Sequence, residues 1–479
     1  MIKAIFLKEI KLILSSNRFI ISFVTIVLLF TLNAFMYNSF FEREKYFSNE
    51  LSNNREWLLE RRELNPWLLL FQSPAENILN RDSLQLIEVT FGYQKLIKPL
   101  SEISFISQTN YTVIPNGINI NYFSFTNPKK LNSNEGFIQN LQAIDWNFIL
   151  LFIVSFVIIV VTYESVSGEK FNGTLKVILT NKISRAELLI GKYFSILFVV
   201  LLPVIIGILL NIVIVSMHSE ILLQSIDFLK ILMYIIAIIL YISIQILICL
   251  FISIVTAKPS VSLAINLMVW VILIIIIPGI GWIFAKEKVK ISSLEETNSI
   301  DNSYQNPRWE YGWELKPPSK HVYEYAKEIN KRTEYHNQLW KDYNNQLFKQ
   351  TELAYKMSKI SPSMIFQYIG EAISDNGLVG YLNFYNQALS YQETLREYVK
   401  QVDYLDNSSS HLIWNNIHTT KHFMSEKSCL ISDIPKFKYH QPSINFVLAF
   451  IKIDLLTLII WNILLTIIVF VFFFKHDVR

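Results

Sequence analysis

The sequence predicts an all-α polytopic membrane protein of six transmembrane helices, with a mainly helical extracytoplasmic domain that holds some short strands. Three observations carry this. Of the 479 residues 52% are hydrophobic and only 17% charged, and the mean hydropathy is +0.33, too apolar for a soluble chain of this length. Six apolar runs reach the roughly 20 residues that a helix needs to cross a bilayer. Lysine and arginine gather at alternate ends of those runs, as they do on the cytosolic side of a membrane.

Residues 1–37 hold a basic flank (Lys3, Lys8, Lys11, Arg18) and a first span, Phe19–Tyr37. The run is longer than the core of a signal peptide and lacks a small-residue cleavage site, so the span is expected to stay. Residues 38–145 form a first extracytoplasmic segment. Its stretch to Leu64 has helical apolar spacing at Phe40, Phe47, Leu51 and Leu58. Leu84–Phe125 has β-branched runs broken by Asn-Gly and Pro, which predicts short strands.

Residues 146–284 hold spans two to five, read as Trp146–Tyr163, Tyr193–Val215, Leu229–Val255 and Val261–Phe284. The fifth closes on Pro278-Gly279-Ile280-Gly281, which predicts a broken or re-entrant last turn. Residues 285–445 form the second extracytoplasmic segment. Pro317-Pro318 marks a turn before a second amphipathic helix over His321–Ile360, with Val322, Ile329, Leu339 and Leu347 on its apolar face. The two amphipathic helices are expected to pair and to continue from spans one and five. Residues 446–479 give the sixth span, Phe446–Phe474, and the C-terminus.

The loop after span two carries Lys170, Lys176, Lys182, Arg185 and Lys192. The turn between spans four and five has Lys258, and the C-terminus Lys475 and Arg479. Residues Ser216–Phe228 contain no lysine or arginine, only Glu220 and Asp227. All basic flanks share one side if both termini are cytosolic. The two large polar segments, together about half the chain, then lie outside.

Several function classes drop out. The net charge of +4 is scattered, which gives no nucleic-acid footprint. Cys249 and Cys429 lie in dissimilar segments and are not expected to pair. Gly191-Lys192 is followed by Tyr193 and has no upstream glycine, so there is no P-loop, and zinc-protease and nucleophile-elbow motifs are absent. No catalytic residue, metal or cofactor is expected. His418 and His422 have metal-ligand spacing near His411, but ordinary surface histidines are the plainer reading. Lys452 and Asp454 read as an interfacial pair at the outer end of span six. Asn211, Gln245 and Asn266 are expected to bond neighbouring helices, and Trp146, Tyr163, Tyr193 and Trp282 to form an aromatic belt.

The loop Glu164–Lys192 stands apart. Ser184 with Glu187 three residues later makes a capping box, and Leu188, Leu189 and Ile190 lead into span three. This predicts a short helix at the membrane surface, held against a long span. The residues alone leave open a solvated loop whose lysines only set topology.

This loop resembles that of the type-2 ABC exporter permeases. The shared order is acidic residues (Glu164, Glu169), Gly173-Thr174-Leu175, Ile183-Ser184-Arg185, then Gly191-Lys192. Lys182 stands where the family often has proline. Six spans with this loop between the second and third also fit. The large segments after the first and before the last span resemble the subfamily with extracytoplasmic inserts, as do Asn65-Pro66, Ser361-Pro362 and a helix over Tyr381–Tyr398.

The resemblance implies the membrane permease subunit of an ATP-driven exporter. It implies a second permease chain, identical or related, and separate ABC ATPase subunits that bind ATP and Mg. The helix near Ser184 would sit in an ATPase groove. Glu164, Glu169 and Arg185 would contact the ATPase or brace the loop, and Gly173 would permit a turn. The expected location is a cell membrane; richness in Asn, Ile and Lys points to an AT-rich bacterial genome and hence an inner membrane. Two alternatives stay open: a non-transporting transducer or anchor that moves an extracytoplasmic partner, and a membrane enzyme acting on lipid or glycan through the histidines at 411–422. The substrate is not legible in apolar spans.

Overall fold

The computed structural model describes residues 2–52, 83–92, 94–108, 117–126, 144–180, 183–293, 296–297, 299–300, 320–416, 420, 423–430 and 432–475. Six helices among them are long and apolar enough to cross a membrane: Asn17–Glu42, Trp146–Phe171, Arg185–Ser216, Ser225–Val255, Pro259–Lys288 and Ile444–Lys475. They are spans one to six, and each contains an apolar run read from the sequence. The other helices are α1 (Ile2–Leu14), α2 (Leu86–Phe91), α3 (Ser167–Phe171, the last turn of span two), α4 (Thr174–Thr180), α5 (Lys320–Ser358), α6 (Pro362–Ile373) and α7 (Gly377–Tyr404). The strands are short: β1 (Ser83–Gln85), β2 (Gln94–Ile97), β3 (Gly117–Ile120) and β4 (Phe125–Thr126) fall where strands are expected, and β5 (Ser428–Leu430) lies outside that stretch. The middle three form an antiparallel sheet in the order β2-β3-β4, while β1 pairs antiparallel with β5, Leu84 opposite Cys429.

Span four is the centre of the bundle. Some 67% of its apolar window is buried, against 17% for spans five and six. Helices are joined by polar side chains that would otherwise sit unpaired among apolar groups. Asn211 Nδ2 of span three donates to Phe30 O and Asn33 Oδ1 of span one at 2.7 and 2.8 Å. Gln245 Nε2 donates to Ser363 Oγ at 3.3 Å. Asn266 instead bonds Ser262 O in its own helix, at 2.8 Å.

Spans two and five each contain a wide π-helical stretch, Ile149–Val154 and Ile272–Ile276. The second corrects the expected break. Span five runs unbroken past Pro278, because the wide turn just before the proline absorbs its clash with the carbonyl four residues back. Gly281 serves packing instead: a Cβ there would lie 2.5 Å from Ser358 Oγ of α5. Trp270 Nε1 donates to Ser155 Oγ at 2.7 Å, bridging the two spans.

The chain alternates between two ends of the bundle. The near end carries α1, the loop between spans two and three and the end of span six. The far end carries the segments after span one and before span six. Span one continues there as one helix to Ser52. Helix α5 packs along the far half of span five, and Gln350 Nε2 donates to Val289 O at 2.6 Å. Its expected pairing with the 40–64 helix, like Asn65-Pro66, Pro317-Pro318 and Lys182, lies outside the described side chains.

A short connection turns the chain from α5 into α6, which is buried along nearly its whole length. Ser361 Oγ donates to Leu273 O of span five at 2.7 Å, and Phe366 stacks on Tyr241 of span four at 4.6 Å. Tyr241 and Leu273 lie near the middles of their spans, so α6 is a wedge driven into the bundle from the far end. Lys359 beside it pairs with Asp454 of span six at 2.7 Å. This replaces the expected Lys452–Asp454 pair: one helical turn holds 3.6 residues, so a spacing of two sets those residues on different faces, and Lys452 is exposed. Trp146 is likewise not a belt residue. It is fully buried, because loop 101–108 folds over the start of span two, with Phe105 5.0 Å and Phe30 5.6 Å from its ring.

Candidate functional site

Beyond Thr162 the chain turns through 163–166 and re-enters a helix as α3, whose first N–H groups have no partner within it. Ser253 of span four supplies one. Its Oγ accepts from the N–H of Val166 and Ser167 at 3.1 and 3.0 Å and donates to Tyr163 O at 3.0 Å. The Lys170 ammonium bonds the Ile254 carbonyl. Helix α3 is thus stapled to span four.

Gly173 joins α3 to α4 with φ +73°, a left-handed conformation that side chains resist. A Cβ there would meet nothing within 4 Å, so conformation and not space demands the glycine. Thr174 Oγ1 donates to Glu169 O at 3.2 Å. Leu175 is buried in the core, whereas Phe171 and Val177 are each 64% exposed.

Ser184 caps the next helix as the spacing predicts. Its Oγ accepts from Glu187 N at 3.2 Å, and Glu187 Oε2 accepts from Ser184 N at 3.1 Å. That helix differs from the expected short surface element. It is span three itself, 32 residues without interruption, since nothing between Arg185 and the apolar run breaks the helix. The separate short helices come earlier, at α3 and α4. Gly191 and Lys192, read as the loop's end, therefore lie inside span three.

Lys192 is the hub. Its Nζ donates to Glu169 Oε1 at 2.8 Å, Ser165 O at 2.9 Å and Glu9 Oε1 at 3.1 Å, so all three N–H bonds are used. The side chain is 3% exposed. An ammonium buried so deeply requires this compensation, and it ties α1, α3 and span three together. One residue earlier, a Cβ on Gly191 would come 2.7 Å from Ile5 Cγ2. Helix α1 crosses span three at a distance only glycine permits.

Glu164 and Arg185 sit elsewhere. Glu164 pairs with Arg18 at the start of span one at 2.8 Å, and that guanidinium also donates to Tyr163 Oη at 3.1 Å. Arg185 donates to Phe473 O and Phe474 O at 3.2 and 2.9 Å, carbonyls that the end of a helix leaves free. Ile183 packs partly buried against the core.

Of the ten loop residues expected to serve the ATPase contact, Glu169 and Lys192 meet through their side chains. The partners Glu9, Arg18 and Ser253 were not among them. Glu9 left a signal, being the one acid in the first forty residues, amid Lys3, Lys8 and Lys11. Ser253, a serine in an apolar span, left none. The arrangement makes no reactive constellation. It is a rigid, polar-stapled block at the near end, with a small apolar surface turned outward.

Among the described residues no group of three or more His, Cys, Asp and Glu is placed to hold a metal. His411 bonds Asp403 at 3.1 Å, and His418 and His422 lie outside the described residues. A family model described as ABC-2 family transporter protein matches residues 3–478. A search of curated proteins found no match.

Proposed function

Because this chain belongs to the ABC-2 transporter family and so is the membrane subunit of an ABC transporter, we propose that it couples a separate ATPase to export, through the block at the near end of its bundle. The observation that carries this reading is the Lys192 hub: a push on α3 reaches span three, span four and α1 through ion pairs and hydrogen bonds. Phe171 and Val177 are the contact we assign to the ATPase. Glu164, Glu169, Gly173, Thr174, Leu175, Ile183, Ser184, Arg185, Gly191 and Lys192 shape or brace that contact. Arg185 acts by holding the end of span six. ATP and Mg belong to the partner, and a second permease chain, identical or related, completes the pathway. On this reading the near end is cytosolic, in a bacterial inner membrane, and the segments 38–145 and 285–445 are extracytoplasmic. Nucleotide then biases a two-state equilibrium of the spans, and this chain itself performs no chemistry.

The test is co-purification from the native host, followed by ATP turnover. The tagged chain is expected to bring down a protein with a P-loop. Phe171→Glu and Val177→Glu should lose that partner while the chain still folds and inserts, because both positions are exposed. Full ATPase binding in both variants would overturn the assignment.

One observation favours a mechanical transducer as a second reading. Helix α6 is wedged between spans four and six, so motion of those spans must move the far segments. Nucleotide-driven motion without substrate flux in reconstituted vesicles would select that reading.

A further inference from the structure

A cavity of about 750 Å³ opens between α1, the near end of span two and span three. Its size is that of a small-molecule site and several times that of a single side chain. Its walls differ. One is apolar, made by Leu12, Ile13, Val160, Val161 and Ile196. The other is charged: Glu9, Glu164 and Glu169 against Arg18 and Lys192. Three carboxylates thus face two cations. The cations are committed, Arg18 to Glu164 and Lys192 to the other two. Glu169 Oε2 and Ser165 Oγ are enclosed with no hydrogen-bond partner. The excess of one carboxylate over the cations favours a further cation in the cavity.

We propose that this cavity binds an amphiphile with a primary ammonium headgroup, its ammonium against the charged wall and its chain along the apolar one. A free anion is disfavoured by the excess of carboxylates, and a quaternary ammonium lacks the N–H groups that the acceptors require. The same chemistry has two sources, an aminophospholipid of the bilayer or an amphiphilic amine that the protein transports. The proposal concerns this chain alone and does not depend on where the ATPase docks.

The experiment uses the full chain in nanodiscs. Native mass spectrometry compares retention of phosphatidylethanolamine with phosphatidylcholine, and titration with dodecylammonium measures affinity in phosphatidylcholine discs. Preferred retention of phosphatidylethanolamine, displaced by dodecylammonium, supports a resident lipid. Dodecylammonium binding without that preference supports a transported amine. In either case Glu169→Gln should weaken binding about tenfold, the loss of one charge-assisted hydrogen bond. Leu12→Trp, which fills the cavity and leaves the Lys192 hub intact, should abolish it even if Glu169→Gln fails to fold. The proposal is overturned if neither probe binds, or if both bind the Leu12→Trp variant as they bind the parent.

Discussion

Two sets of buried ionisable groups, one at each end of the bundle, are matched in different ways. At the near end the buried Lys192 ammonium is matched by carboxylates from two other elements, so charge is used as a tie between distant parts of the chain. At the far end, Asp145 and Glu371 are buried with neutral partners. Asp145 accepts from the N–H of Gln108 and Phe148 at 2.8 and 2.7 Å. Glu371 accepts from Tyr355 Oη and Gln367 Nε2 at 2.6 and 3.0 Å. Burial raises both carboxyls, that of Asp145 to about 7 with nearby Glu371 adding to the rise. Asp145 is thereby carried into the neutral range.

The largest expected effect breaks the near end. Lys192→Met leaves Glu9 and Glu169 partly buried and uncompensated, at a cost of about 3–5 kcal/mol. Thermal unfolding of the purified chain should show a large loss, restored in part by adding Glu9→Gln and Glu169→Gln. A stable single variant would mean that the hub is not a structural tie.

The next sharpens the far end. The folded pKa of Asp145 lies above its unfolded value near 4. Its favourable contribution is therefore complete below about pH 4 and lost as pH rises through about 7. The span of this effect is about 4 kcal/mol. Asp145→Asn keeps an acceptor for Phe148 N but cannot ionise, so its unfolding temperature should fall less between pH 5 and 8 than that of the parent. Parallel pH profiles would remove Asp145 as the titrating group.

The smallest effect lies at Gly173. Alanine there must adopt a left-handed conformation at a cost of about 1 kcal/mol. Stability should drop slightly, and more than at Gly279, where φ is ordinary and a Cβ also meets nothing within 4 Å. Equal losses at the two positions would mean that the turn carries no strain.

What the sequence made legible follows from the range of each signal. The spans were readable because an apolar run announces itself locally, and the Ser184 cap because its two partners are three residues apart. The α6 wedge was not, since twelve residues are too few to suggest membrane depth and its burial depends on Tyr241 and Leu273, far away in the chain. The π stretches have no side-chain signature: Ile149–Val154 and Ile272–Ile276 are as apolar as their neighbours. In the loop, Glu169 and Lys192 could be noticed as charges, but their third member, Glu9, is 183 residues from Lys192. The helix expected at Ser184 merged with span three because a cap marks where a helix begins and says nothing of its length.

That 183-residue separation has a consequence for biosynthesis. At ribosomal speeds of about 5–20 residues per second, Glu9 emerges roughly 10–40 s before the lysine it will hold. A thirteen-residue helix is marginal alone in water, so α1 needs a provisional support for that interval. Its exposed Ile2, Leu7 and Leu14, set among lysines, suit the lipid surface beside the translocation machinery. The crossing at Gly191 can close only after span three has arrived, so α1, synthesised before span one, is one of the later helices to lock.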